Sequence, residues 1–94
     1  MTLETRPWDS AELLNSPEEV AAYIEAAFED GDPAVITHAL GVVARAKGMS
    51  QVARASGLSR EALYKALTPD GDPKLSTFIS VLRALGMKVT TRAA

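Results

Sequence analysis

Apolar residues recur at helical spacing in five stretches of the chain, and polar, glycine or proline residues separate those stretches. Positions three and four apart share one side of a helix, so this rhythm marks helices that each bury one face. Ser16-Pro17-Glu18-Glu19 opens the first with a serine cap, a proline at the first helical position and a glutamate placed for a capping box. Val20, Tyr23, Ile24, Ala27 and Phe28 then fall on one face, and Asp30-Gly31 ends the helix. Asp32 caps a second helix and Pro33 opens it. Its stripe is Val35, Ile36, Ala39, Leu40 and Val43; Arg45 and Lys47 suit the negative end of the helix dipole, and Gly48 stops it.

Ser50 is expected to cap a short third helix over residues 51–56, with Gly57 as the turn. Ser59 caps a fourth over residues 60–67, with Ala62, Leu63, Ala66 and Leu67 inward. Thr68-Pro69-Asp70-Gly71-Asp72-Pro73 is dense in turn formers and predicts a loop. A fifth helix is expected from about residue 75 to 85, with Phe78, Ile79, Leu82 and Leu85 inward, Ser76 as an alternative cap and Gly86 as the stop. Met87-Lys88-Val89-Thr90-Thr91-Arg92 alternates apolar and polar, which predicts a short strand. A lone strand leaves its amides and carbonyls without ladder partners. It is therefore either a frayed tail or paired, with a second chain through Met87 and Val89 or with the weakly alternating residues 1–6. The expected fold is all-α, five helices around one core with a short C-terminal strand. It divides into an acidic lead (1–15), a helical domain (16–86) and a tail (87–94).

Composition narrows this little further. Ninety-four residues make one domain with a single core, and scarce aromatics beside abundant Ala and Leu favour helix. There is no cysteine, hence no disulfide framework or thiolate chemistry. No run approaches the roughly 18 apolar residues that span a bilayer, and residues 1–6 lack a signal peptide's basic start, so a cytoplasmic protein is expected.

Charge changes the picture more. Residues 44–94 hold nine Lys/Arg against three Asp/Glu, a net of +6, whereas residues 1–43 hold one Arg against nine acids, a net of −8. The overall acidic pI near 5.3 hides this division. Screening removes charge more than about 10 Å away at 0.1 M salt, so a basic half can face phosphates while the acidic half points elsewhere.

Residues 52–67 meet the needs of a helix-turn-helix. Ala53 is small where two helices cross, Gly57 allows a left-handed turn, Leu58 plugs the core, and Ala62, Leu63, Ala66 and Leu67 supply the inward stripe. Arg60, Glu61, Tyr64 and Lys65 then face outward. In this motif the second helix enters the major groove. Arg60 is placed for bidentate pairing with guanine. Tyr64 suits a thymine methyl or a phosphate, and Lys65 a phosphate. Glu61 accepts from a cytosine amine or holds Arg60 or Lys65. Ser59 caps the helix and offers its hydroxyl to the DNA backbone, and Ser50 and Gln51 begin the preceding helix where a phosphate oxygen meets free N–H groups. The same spacing also serves an ordinary helical hairpin with a solvated polar face.

Lys47-Gly48-Met49-Ser50-Gln51-Val52-Ala53, the run Gly57–Leu67, and Val81-Leu82-Arg83-Ala84-Leu85-Gly86-Met87 resemble HigA-type addiction-module antidote proteins, whose DNA-binding domain is lambda-repressor-like, of the Cro/CI class. The loop from Thr68 to Pro73 and the acidic front end, with Trp8-Asp9 and Glu29-Asp30-Gly31-Asp32-Pro33, fit as well. In one place the chain departs from the commoner pattern: Gln51 directly precedes Val52-Ala53, which makes the motif's first helix short. The resemblance implies a type II antitoxin. Such a protein neutralises a small toxin of the RelE/ParE/HigB kind and represses its own operon, usually as a dimer on a palindrome of double-stranded DNA. A basic, RNA-binding toxin would suit the acidic half. A stand-alone Cro/CI-type regulator and a toxin-binding module without DNA affinity are the alternatives.

Trp8, Leu13 and Leu14 are candidate anchors for the partner, or a lid on the core. His38 has no second histidine or cysteine beside it and reads as a helix-surface residue. Glu18, Glu19 and Asp32 are explained by helix electrostatics, and Asp70-Gly71-Asp72 is too short for a calcium loop. No catalytic residue, metal or cofactor is expected.

Overall fold

The structure, a computed structural model, describes residues 16–68 and 70–94. Among the described residues five helices follow one another: α1 (Pro17–Asp30), α2 (Pro33–Lys47), α3 (Met49–Ser56), α4 (Arg60–Ala66) and α5 (Leu75–Ala84). The capping box at α1 forms as its sequence requires. Ser16 Oγ accepts from the Glu19 N–H at 3.1 Å, and the Ser16 N–H donates to Glu19 Oε1 at 3.2 Å. Gly31 turns left-handed at φ 82°, and Asp32 Oδ1 takes the Ala34 N–H at 2.9 Å to start α2.

The core lies where α1 packs on α2, α2 on α3, and α3 on both α4 and α5. Leu40, Val43, Leu63 and Val81 have no exposed surface, and Val20, Ile24, Met49, Val52, Leu67, Leu82 and Leu85 join them. Burying apolar side chains of this size is worth about 1.5–3 kcal/mol each, before the entropy of ordering them is subtracted.

Several expected positions fall differently. Val35 lies on the flank of the α2 stripe and stays exposed, as does Ala62 in the first turn of α4. Val81, outside the expected inward stripe, is fully buried beside Leu82. Ser50 does not cap α3: that helix begins at Met49, Gly48 is its N-cap, and no side chain bonds there. Burial of Met49 anchors the first turn instead. Ser76 does not cap α5 either; its carbonyl accepts from Ser80 Oγ at 2.9 Å.

The C-terminal strand does not form; residues 87–94 are irregular, and no strand occurs among the described residues. The Met87 N–H closes α5 instead. It donates to the Leu82 carbonyl at 2.8 Å, while the Gly86 N–H reaches Arg83 at 2.9 Å with Gly86 at φ 83°. This is a Schellman ending. Met87 also packs against the core, so the first residue of the alternating run belongs to a helix cap. Alternation alone cannot make a strand without a neighbour to pair with.

Candidate nucleic-acid interface

Helices α3 and α4 are joined by Gly57, Leu58 and Ser59. Ala53, 6% exposed, lets them approach. Gly57 adopts φ 78° and ψ 13°, a left-handed conformation that other residues enter at a cost of roughly 1–2 kcal/mol. Its N–H and that of Leu58 fold back onto the Arg54 and Ala53 carbonyls at 3.3 and 3.1 Å. Leu58 then packs against the core, and Ser59 is extended with its Oγ accepting from the Ala62 N–H at 3.0 Å. Each turn residue thus does one job: reverse the chain, anchor it, restart the helix.

Buried Leu63 and Leu67 fix the rotation of α4 about its axis. Arg60, Glu61, Tyr64 and Lys65 consequently face solvent, as their spacing predicts. Arg60 turns toward the residue one helical turn on: its Nη2 donates to the Tyr64 hydroxyl at 3.4 Å, and its guanidinium carbon lies 5.6 Å from the Tyr64 ring centroid. That is a cation–π geometry. Tyr64 remains 43% exposed, and Arg60 is exposed as well. Ser50 and Gln51 are exposed in the first turn of α3, where a helix leaves backbone N–H groups without intrahelical acceptors. Arg54 and Lys74 are exposed as well.

The far end of α4 is held by close backbone approaches. A Cβ on Gly71 would stand 2.5 Å from the Ala66 carbonyl oxygen and 2.6 Å from that of Lys65. A Cβ on Gly41, inside α2, would stand 3.1 Å from the Leu67 carbonyl oxygen. Sequence reasoning missed both. Gly41 carried a usable signal, because glycine in a helix interior loses about 1 kcal/mol relative to alanine and needs a packing reason.

The remaining candidates are scattered. Met87 is half-buried in the chain's own core and Val89 is 45% exposed. His38 is exposed, and no group of metal-ligating side chains occurs among the described residues. Trp8, Leu13 and Leu14 lie outside the described residues. No helix among those residues is long and apolar enough to cross a membrane.

Among the described residues these features define a small all-helical protein in which the outer face of one short helix, α4, is open to solvent. The chain belongs to a family described as "Probable addiction module antidote protein", which matches residues 4–93. It is 42% identical over 88 residues to a protein of Haemophilus influenzae described as uncharacterized, covering 94% of this chain and 91% of that one. No solved structure gives a significant match. An addiction-module antidote implies a toxin as its counterpart.

Proposed function

We propose that this antidote is a type II antitoxin of the HigA kind, using a lambda-repressor-like helix-turn-helix to bind and repress its own operon while neutralising a toxin of the RelE/ParE/HigB kind. The observation that carries the DNA reading is the exposed Arg60–Tyr64–Lys65 face of α4, rotated outward by a fully buried Leu63. Arg60 meets a guanine edge and Tyr64 a thymine methyl or a phosphate. Lys65 takes a phosphate, and Glu61 a cytosine amine. Ser59, Ser50 and Gln51 hold the DNA backbone. The toxin is a small basic protein and docks on the acidic half, with Trp8, Leu13 and Leu14 as apolar anchors.

The protein acts in the cytoplasm as a homodimer on a palindrome, which sets the two α4 helices about 34 Å apart. In this reading Met87 and Val89 belong to the surface that a second copy covers; Val89 is 45% exposed. The family description supports an antidote over a stand-alone regulator.

The purified chain is expected to shift a duplex from its own promoter, with affinity falling steeply as salt rises through counterion release. Arg60→Ala should lower affinity by about 1–3 kcal/mol and relax preference at one base pair. An equal loss on every sequence would reassign Arg60 to a phosphate. Failure to shift any duplex at low salt, with firm binding to the product of the neighbouring small reading frame, would leave a toxin-binding module. Failure to bind that product or to rescue growth would leave a stand-alone regulator.

A further inference from the structure

Arg60 and Tyr64 are already engaged with each other before any partner is present. An arginine side chain has many rotamers, and freezing them on binding weakens a contact. Here the aromatic face 5.6 Å away restricts the guanidinium in advance. The hydrogen bond to the phenol uses a single N–H of the five that a guanidinium carries, and bidentate pairing with guanine O6 and N7 needs two. Because the phenol oxygen accepts that bond, its own proton stays free to donate. Tyr64 as a whole is 43% exposed.

We propose that Arg60 and Tyr64 act as one reading unit for a guanine with a thymine beside it. Tyr64 is the positioning residue: its face holds the guanidinium in line for the guanine edge. Its own ring edge packs on the neighbouring thymine methyl. The unit spans the first turn of α4 and the start of the second; the Ser59 cap sets where the helix begins and Leu63 sets its rotation. This proposal rests on the DNA-binding reading above and adds the base step that the helix distinguishes.

The test is selection from a library of randomised duplexes with the full chain, followed by affinities of Arg60→Ala, Tyr64→Ala, Tyr64→Phe and the Arg60→Ala/Tyr64→Ala double variant. The wild type should select guanine next to thymine. Arg60→Ala and Tyr64→Ala should each lose about tenfold in discrimination for that guanine, and the double variant should be no worse than either single one. Tyr64→Phe, which keeps the ring, should retain most of the discrimination. Uracil in place of the thymine removes only the methyl; it should weaken the wild type and leave Tyr64→Ala unaffected. Unchanged urea midpoints would show that the variants fold normally, as their exposure leads one to expect. A selected site with additive losses, or a Tyr64→Ala loss equal on every duplex, would overturn the reading unit while DNA binding stands. Selection of no sequence at all would overturn both.

Discussion

Replacing Leu63 with alanine is expected to cost about 2–5 kcal/mol, the range for deleting a leucine side chain in a packed core. Leu63 has no exposed surface and belongs to the cluster that joins α4 to the rest of the molecule. A domain of this size has about 5–15 kcal/mol of stability in all, so this loss is a large share of the total. Urea denaturation should show a lowered midpoint with an unchanged slope. The functional effect should exceed the loss of folded protein, because α4, Arg60–Ala66, is far too short to hold its helical shape unaided. A cost below about 1 kcal/mol would remove Leu63 as the anchor of that helix; Leu75, 72% exposed, supplies the comparison, since surface substitutions usually stay within ±0.5 kcal/mol.

Gly71→Ala should destabilise the fold by about 1–3 kcal/mol through overpacking. The added methyl would lie 2.5 Å from the Ala66 oxygen, 2.6 Å from the Lys65 oxygen and 2.9 Å from the Ala66 carbonyl carbon. All three are backbone atoms, so no flexible side chain can swing aside. Either the loop lifts from α4 or the last turn of α4 shifts with it, and the second outcome moves Lys65. Thermal melting would register the lost stability, and promoter affinity at a temperature where the variant is folded would register the shift. Gly57→Ala makes an instructive partner, because no atom lies within 4 Å of its Cβ and its difficulty is the left-handed φ of 78°. The two glycines are thus needed for different reasons, space at one and backbone conformation at the other. A Gly71→Ala variant that melts like the wild type would sink the close-approach argument.

Much of the architecture is local chemistry written directly in the chain. Ser16 with Glu19, Asp32 with Pro33, Gly57, Ser59 and Gly86 each set a helix boundary through bonds within five residues, and all act where the sequence places them. The outward set Arg60, Glu61, Tyr64 and Lys65 was equally legible, because one buried leucine at a known helical period determines which side of α4 faces water. The start of α3 was not legible. A serine beside a glycine reads as a cap, but Met49 finds a place in the core and draws the helix two residues earlier. The tail was misread for a related reason: period-two alternation identifies a strand only if a partner strand is adjacent, and Met87 was already used by α5.

By itself, then, the order of residues determined five helical segments, most of their ends, the division of charge and the polar face of α4. Those properties depend on contacts within one or two helical turns, which any reader of the chain can count. Tertiary structure alone decided that α2 and the loop after α4 press glycines against the backbone of that helix, that Val81 is buried while Val35 and Ala62 are not, and that Met87 closes a helix. The burial pattern and the Gly41 approach depend on which distant surfaces meet, and close packing of side chains leaves no local trace of its partner; Gly71 and Met87 act near in sequence, but through backbone geometry that residue types alone do not specify.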